Sequence, residues 1–259
     1  MIVFYKYHGA GNDFILIDDR KAVFPKENIN LVATICHRRF GIGADGLMLL
    51  RNHPDYDFEM VYFNSDGKES TMCGNGGRCI VAFAHKLGIA GHSTRFLAVD
   101  GPHNAEIIKP DHIRLQMTDV TTIERGEDYF FLDTGSPHYV RVSNDVDGID
   151  IIPEAHAIRY NERFKTKGTN VNFMEIQPDG LKVRTYERGV EDETYACGTG
   201  VVASAICAGE ISNHAKTSFP VEVKGGQLHV SYDTNKKGKF HNIWLEGPAV
   251  FVFKGEYTE

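Results

Sequence analysis

Two stretches decide the fold of this chain: MCGNGGRCIVAFAHKLG, which begins at Met72, and ACGTGVVASAICAG, which begins at Ala196. In each, a Cys-Gly-x-Gly loop runs directly into apolar residues at helical spacing, which predicts a buried helix after the loop. Cys73 and Cys197 are 124 residues apart, close to half the length of the chain. The two stretches therefore indicate an internal repeat.

Three further pairs of motifs keep the same order and nearly the same offset. GND at Gly11 and GSP at Gly135 are 124 residues apart, GADGLMLL at Gly43 and GTNVNFME at Gly168 are 125 apart, and FEMVYFN and LKVRTYE end 123 apart at Asn64 and Glu187. Coincidence among glycine-rich loops is the alternative, but four pairs in one order favour two similar halves. We expect one domain at residues 1–118, completed by a C-terminal strand at 248–259, and a second at 119–247.

Each half contains short runs typical of strands and longer runs typical of helices. Strands are predicted at 14–18, 58–63, 95–99, 113–117, 129–133, 139–142, 171–176 and 181–186. Further helices are predicted at 28–39 and at 153–161, the latter with Pro153 at its first position, and Gly209 is expected to end the helix after Cys197. Because strands outnumber helices without strict alternation, we expect an α+β fold whose two pseudo-symmetric domains each wrap a mixed β-sheet around a central α-helix.

The composition excludes several classes of protein. With 28 Lys and Arg against 35 Asp and Glu, the net charge of the 259 residues is −7, which disfavours nucleic acid as a partner. No apolar run approaches the roughly 20 residues of a membrane span, and the first residues lack the features of a signal peptide. Five cysteines disfavour a fully paired secreted framework. We expect a cytoplasmic protein with neither a membrane nor a nucleic acid as partner.

The position of Cys73 and Cys197 in front of a helix suggests chemistry. Unpaired N–H groups and the helix dipole favour negative charge at this end and lower the pKa of a thiol. The adjacent glycines let a ligand approach closely, so that the N–H groups hold a carboxylate while the thiol reaches the neighbouring carbon. Inverting a stereocentre needs a base on one face and an acid on the other, and two matched thiols supply both. The carboxylate donors would also stabilise an enediolate.

Other roles for these cysteines stay open at this point. Either residue alone is equally well explained as a small core side chain, and a nucleophile with His138 as its base, or a redox pair, would also use them. Zinc binding is disfavoured because no CxxC or HExxH spacing occurs, and GAGND from Gly9 lacks the third glycine of a dinucleotide fingerprint. Cys36, Cys79 and Cys207 lie in apolar helical patterns and are expected in the core.

Eight motifs together make the chain resemble the diaminopimelate epimerase family, within the PLP-independent amino-acid racemases. They are HGAGNDF at His8, GIGADG at Gly41, FNSDG at Phe63, MCGNGGRC at Met72, GSPH at Gly135, GTNVNF at Gly168, YERG at Tyr186 and ACGTG at Ala196. The resemblance covers nearly the whole chain. It implies two similar α+β domains with the active site in the cleft between them, and interconversion of LL- and meso-2,6-diaminopimelate for lysine and peptidoglycan precursors. It also implies a cytoplasmic, often dimeric enzyme without cofactor or metal.

Matching the motif positions implies a role for individual residues. The acid and base are expected at Cys73 and Cys197. The carboxylate at the reacting centre would be bound by the amides of Gly74, Asn75, Gly198 and Thr199, its ammonium by Glu187, and the distal amino-acid end by Asn12, Asn64, Asn170 and Arg188, with His138 and Ser136 assisting in orientation.

Three features depart from the family pattern. Gly46 stands where many relatives have Gln, so one side-chain contact is expected to be absent, and Ser136 stands where many have Asn. The stretch from Glu187 to Cys197 is one residue longer than usual, for which we expect a local bulge. The alternative enzyme is a proline or hydroxyproline racemase, and the alternative from another class is a catalytically silent amino-acid-binding protein. The distal set that contains Arg188 favours diaminopimelate, because proline has no second amino-acid head.

Overall fold

The computed structural model describes residues 1–234 and 239–258, and the chain divides into two compact units. The first is Met1–Leu115 with Gly247–Glu259, and the second is Gln116–Glu246. The expected boundaries after residues 118 and 247 stand close to these. Residues 235–238 of the expected second domain and residue 259 of the expected terminal strand lie outside the described residues.

The helices and strands fall into two sets that follow one another along the chain. The first comprises β1 (Ile2–Gly9), β2 (Asn12–Asp18), α1 (Ile29–Cys36), β3 (Gly46–Arg51), β4 (Phe58–Asn64), α2 (Gly74–Lys86), β5 (Ser93–Ala98), β6 (Gly101–Lys109) and β7 (His112–Gln116). The second comprises β8 (Ile123–Arg125), β9 (Tyr129–Asp133), β10 (Pro137–Val142), α3 (Ile151–Arg159), β11 (Asn170–Gln177), β12 (Gly180–Glu187), β13 (Asp192–Thr194), α4 (Gly198–Ile211), β14 (Ser218–Val223), β15 (Gly226–Thr234) and β16 (Phe240–Pro248). The chain then returns to the first unit as β17 (Val250–Tyr257).

The two units pair their strands in the same order. From β1 to β7 the successive pairings, taken in chain order, are antiparallel, parallel, antiparallel, parallel, antiparallel and antiparallel. Passing over β13, the strands from β9 to β16 repeat that series. An extra strand lies antiparallel on the first member of each series, β17 on β1 and β8 on β9. This shared topology confirms the internal repeat.

A helix lies at the centre of each mixed sheet. α2 packs on β1, β2, β3, β6 and β17, and α4 packs on β9 to β12, β14 and β15. Both helices are buried almost all round: the first eleven residues of α2 are inaccessible, as are all but one of the first twelve of α4. α4 is apolar on nearly every side, and such a helix must be enclosed. In α2 the enclosed residues include Asn75 and Arg78. The predicted α+β fold, with a sheet wrapped around a central helix in each domain, is confirmed.

The smaller helices α1 and α3 each cover a separate part of the core. α1 packs with Ile15, Leu47 and Val61, and α3 packs with Val171 and Phe173. Within the part of the chain that the structure describes, no helix has both the length and the apolar character needed to cross a bilayer.

Several element boundaries differ from those predicted. α1 ends at Cys36, not at residue 39, because Ile35 and Cys36 give their carbonyls to the amides of residues 42–44 of the returning loop. α3 begins at Ile151, so Pro153 occupies the third helical position. An N–H group at this position has no acceptor within the helix, so the proline costs no helical hydrogen bond. The strand expected near the C-terminus is present as β17, but the sequence did not predict β1, β3, β6, β8 or β13 to β16. β3 is buried along nearly its whole length, so period-two alternation is absent there.

The expectation that Gly209 ends α4 is wrong. The helix continues to Ile211, and Gly209 is buried inside it. A Cβ at this position would overlap Oη of Tyr232, which is 3% exposed. The glycine is therefore required by close packing of α4 against β15 and not by a left-handed helix end.

We expect Gly209→Ala to lower the free energy of unfolding by about 1–3 kcal/mol through overpacking, although alanine in an open helical position would raise it by up to ~1 kcal/mol. Urea denaturation of the variant measures the change. Gly91→Ala is the matched control, because a Cβ there meets nothing closer than 3.9 Å. Adding Tyr232→Phe to Gly209→Ala should recover part of the loss, and equal midpoints for Gly209→Ala and wild type would contradict the packing argument.

Candidate active site

Each central helix begins directly after a cysteine. Cys73 precedes α2 with φ −95° and ψ 132°, and Cys197 precedes α4 with φ −113° and ψ 107°. The carbonyl of Cys73 accepts from the amide of Gly77 at 2.7 Å, and the carbonyl of Cys197 accepts from Val201 at 2.9 Å. The amides between each cysteine and its first helical bond have no acceptor within the helix. Each unit thus presents a thiol beside a group of backbone donors suited to an anion.

The remaining three cysteines are core residues, as predicted. Cys36, Cys79 and Cys207 are at most 2% exposed. Burial raises the pKa of the Cys36 and Cys79 thiols to about 12 and that of Cys207 well above its usual value. Cys197 is 7% exposed and Cys73 is half-buried. At neutral pH the three core thiols stay protonated and do not compete in thiolate chemistry.

In the first unit, the amide side chains of Asn12 and Asn75 form a directed chain between two charges. Arg78 Nη2 donates to Asn75 Oδ1 at 2.8 Å, and Asn75 Nδ2 donates to Asn12 Oδ1 at 2.6 Å. Asn12 Nδ2 then donates to Asp45 Oδ2 at 3.0 Å. Because a cation stands at one end and a carboxylate at the other, both amide orientations are fixed. Two expected substrate contacts are therefore held rigidly beside Cys73.

Sequence reasoning missed Arg78, which is fully buried on α2. Its guanidinium also donates to the carbonyls of Gly74 and Pro248. No carboxylate among the described residues lies within ion-pair distance of it. Burial lowers the pKa of Arg78, while the sulfurs of Cys79 and Cys73 act in the opposite sense. The Arg78 guanidinium is therefore a buried cation close to Cys73. The available signal was a single arginine directly in front of the apolar run 79–84.

The structure places Asn64 at the exposed end of β4, in register with Gly46. The Asn64 backbone closes a tight turn with Gly67 and Lys68. At Gly46, a Cβ would lie 2.5 Å from both the Phe63 carbonyl oxygen and the Tyr62 ring. The tyrosine ring thus occupies the space beside this glycine. The glutamine side chain whose absence was expected at position 46 therefore has no room in this fold.

In the second unit, three expected residues meet through their side chains. Asn170 Nδ2 donates to Ser136 Oγ at 2.9 Å, and the amide of Arg188 donates to Asn170 Oδ1 at 2.9 Å. Arg188 Nη2 lies 3.4 Å from Ser136 Oγ, and its Nη1 donates to the carbonyl of Lys167. Val171 pairs with Tyr186. Asn170 and Glu187 are the neighbouring residues of that pair and come next in the same register, at the ends of β11 and β12. The hydroxyl of Ser136 is long enough to complete this cluster.

The stretch after Glu187 differs from the local bulge that the sequence led us to expect. Glu187 pairs directly with Asp192, and the intervening residues form a hairpin loop in which Gly189 has φ 94° and Glu191 has φ 58°. The Glu191 carboxylate accepts from the amide of Gly189 and from Arg159, Tyr160 and Tyr186. These donors hold the pKa of Glu191 down at about 2 despite desolvation, so the anion that fixes the loop persists at neutral pH.

His138 lies in a closed polar network behind Cys197. Its Nε2 is 2.9 Å from Thr199 Oγ1, and its Nδ1 is 3.1 Å from Asn172 Nδ2. Thr199 Oγ1 is in turn 3.5 Å from Cys197 Sγ. Burial lowers the pKa of His138 to about 3, so the imidazole is neutral at physiological pH. Asn172 was not predicted, although it lies two residues from Asn170 and therefore on the same face of β11.

Each unit therefore brings together its own share of the expected residues. Asn12 and Asn75 meet beside Cys73 and Gly74, while Asn64 stands at the turn after β4. In the second unit, His138 and Thr199 meet beside Cys197 and Gly198, and Ser136, Asn170 and Arg188 form the neighbouring cluster. Among the described residues, no group of three His, Cys, Asp or Glu side chains is placed to hold a metal ion.

The buried neutral state of His138 makes stability depend on pH. In the unfolded chain this group titrates near pH 6.5, so between that value and about 3 the unfolded state binds the extra proton. Acidification from pH 6 to pH 4 should therefore lower the unfolding free energy through His138 by up to about 1.4 kcal/mol per pH unit. In urea titrations across this pH range, the unfolding free energy of His138→Gln should depend less steeply on pH by that amount. The exposed-site control His92→Gln should keep the wild-type dependence on pH. Identical slopes for His138→Gln and wild type would show that His138 is charged in the fold.

The chain is similar to known proteins over nearly its full length. The family model described as diaminopimelate epimerase matches residues 4–123 and 130–252. Diaminopimelate epimerase of Flavobacterium psychrophilum is 49% identical, with 96% of this chain and 98% of that protein covered, and the enzyme of Chlorobaculum tepidum is 44% identical, with 96% and 99% covered. The solved structure of a Bacillus anthracis phenazine biosynthesis protein of the PhzF family superposes with a TM-score of 0.74 over 100% of this chain and 99% of that one. Its identity of 14% shows a shared fold alone. The chain belongs to the diaminopimelate epimerase family.

Proposed function

We propose that this protein is an isomerase that interconverts LL- and meso-2,6-diaminopimelate by moving protons at one α-carbon between two thiols. One observation carries the proposal: each of two topologically equivalent units places a cysteine at the first turn of its buried, glycine-rich central helix. The named relatives, at 44% and 49% identity over nearly the full chain, support this choice of substrate.

The proposed reaction needs one base and one acid at the same carbon. One cysteine acts as a thiolate, takes the α-proton and becomes a thiol, and the electron pair of the C–H bond passes into the substrate carboxylate as an enediolate. The other thiol then gives its proton to the opposite face of that carbon and becomes a thiolate. The reverse reaction exchanges the roles of Cys73 and Cys197, so no electron sink from a cofactor is required.

The backbone donors at the two helix starts would bind the reacting carboxylate. The amides of Gly74 and Asn75 in the first unit, and of Gly198 and Thr199 in the second, are the first of each helix. Their hydrogen bonds strengthen as charge moves onto the carboxylate, so they stabilise the transition state more than the substrate. The proposal requires a thiol and backbone donors from both units to act on the same substrate.

The polar clusters beside the cysteines would select the substrate. In the second unit Arg188, Asn170 and Ser136 are linked by hydrogen bonds and combine a cation with amide and hydroxyl groups, which suits an amino-acid head. Asn12 and Asn64 would complete the pocket for the distal end, and Glu187 would accept from the ammonium at the reacting end. A substrate without the second head would leave these groups unpaired.

We further propose a cytoplasmic homodimer that serves lysine and peptidoglycan precursor synthesis. Phe251, Val252 and Phe253 on β17 are 38%, 51% and 45% exposed. These exposed apolar side chains on β17 are ones that a second copy would cover.

We expect Cys73→Ala and Cys197→Ala each to abolish epimerisation, because each removes the acid or base from one face of the α-carbon. The assay follows conversion of LL-diaminopimelate in heavy water, with incorporation of solvent deuterium at the α-carbon and with proline as the control substrate. Cys79→Ala and Cys207→Ala are matched controls on the same two helices and should retain turnover. Wild-type turnover in either of the first two variants would rule out the two-thiol mechanism.

We expect Arg188→Ala to weaken recognition of the distal head, since it removes a charge-assisted contact worth about 1.5–3 kcal/mol. The measurement compares kcat/KM for diaminopimelate with that for an analogue lacking the distal carboxylate. The ratio should fall roughly 10- to 100-fold in Arg188→Ala. Arg20→Ala, at an exposed arginine paired with Asp18, should leave it unchanged. An unaltered ratio in Arg188→Ala would place this arginine outside the substrate pocket.

A further inference from the structure

The imidazole of His138 has an identified partner at each nitrogen, which makes its protonation pattern readable from geometry. Asn172 Nδ2 lies 3.0 Å from the backbone carbonyl of Tyr139, a group that only accepts hydrogen bonds. Asn172 Oδ1 accepts from the hydroxyl of Thr185 at 2.9 Å. These two contacts fix which end of the Asn172 amide is nitrogen and which is oxygen.

The orientation of Asn172 determines the tautomer of His138. One hydrogen of Asn172 Nδ2 goes to Tyr139, and the other points to His138 Nδ1 at 3.1 Å. That ring nitrogen must accept and so carries no proton. In a neutral imidazole the proton then resides on Nε2, which donates to Thr199 Oγ1 at 2.9 Å.

The same logic extends to the sulfur of Cys197. Since the Thr199 oxygen already accepts from His138, its own hydrogen is available to Cys197 Sγ at 3.5 Å. A hydroxyl that donates to sulfur stabilises the thiolate over the thiol. The donor direction runs without a break from Asn172 to His138, Thr199 and Cys197.

We infer that Asn172 is a positioning residue for catalysis: it locks His138 as the neutral, Nε2-protonated tautomer and thereby directs the hydroxyl hydrogen of Thr199 onto Cys197. This deepens the proposed epimerase function and rests on it for its catalytic meaning. It gives Cys197 a neutral donor within its own unit, whereas Cys73 lies near the buried cation Arg78.

The surroundings of His138 keep this arrangement intact. β11 presents Asn172, α4 presents Thr199 and Gly200, and the loop after β12 brings the positive charge of Arg188, which, with burial, opposes protonation of the ring. At Gly200, a Cβ would overlap Asn172 Oδ1 and lie 3.3 Å from His138 Cε1. The second glycine of the ACGTG motif is therefore the residue that lets the network lie against the helix.

The first test observes the tautomer directly. In ¹⁵N spectra of the imidazole, wild-type His138 should show Nδ1 unprotonated and Nε2 protonated throughout pH 5–8. Asn172→Leu has a similar volume but no donor, and should lose this single form. Asn30→Asp, at an exposed position on α1, is the control and should leave the spectrum unchanged. A wild-type His138 protonated on Nδ1 would overturn the inference.

The second test measures the thiol without turnover. In a Cys73→Ala background, the pH dependence of iodoacetamide reaction at Cys197, located by mass spectrometry, gives the pKa of that thiol. Thr199→Val should raise this pKa by about one unit, which is a tenfold slower reaction at neutral pH. Thr199→Ser keeps the hydroxyl and should restore a pKa close to that of the parent.

Coupling between the two positions completes the test. Asn172→Leu should raise the Cys197 pKa in the same direction, and the double variant Asn172→Leu, Thr199→Val should add little, because both act through one chain of donors. Additive shifts, or an unchanged Cys197 pKa in Asn172→Leu, would overturn the inference. Neither readout uses epimerisation, so its failure is distinguishable from failure of the proposed function, which the heavy-water assay tests.

Discussion

The rest of this structure depends on backbone amides at the start of a buried helix. A helix leaves its first N–H groups without internal acceptors, and buried polar groups need partners. α2 and α4 both begin in the core of their unit, directly after a cysteine. The fold thus creates a set of backbone donors suited to an anion, and it fixes a thiol at the edge of that set. Sheet order, small residues and polar clusters all serve to keep these helix starts in place.

Glycine in the two loops has a specific structural reason at each helix start. At Gly77 a Cβ would lie 2.9 Å from Met72 and 3.1 Å from Leu115, and at Gly200 it would overlap Asn172. In both units the neighbouring side chains pack directly on the backbone of the first turn. Substitution would push the helix away from the sheet residues that support the site. Closeness of approach, more than backbone freedom, explains these two positions.

The two units share a topology but support their cysteines by different means. Beside Cys73, a buried arginine and a carboxylate hold two asparagine side chains between them. Beside Cys197, a neutral histidine and a threonine form a chain of donors. A duplicated fold thus preserves the position of the thiol while the charge around it has diverged. Such a difference suits a reaction in which the two thiols exchange the roles of acid and base.

The sequence by itself determined the repeat, the α+β class, the two central helices and the cysteines that precede them, because these depend on local spacing and on the offset between motifs. It also indicated Asn12, Asn170 and Thr199 through family motifs. Only the tertiary structure revealed Arg78, Asn172 and Tyr62 as supporting residues, and only it showed that Gly209 lies within a helix. Those roles arise from contacts between strands and helices far apart in the chain. A pattern along the sequence indicates which residues are apolar or turn-forming. It does not indicate which side chains from separate helices and strands are in contact.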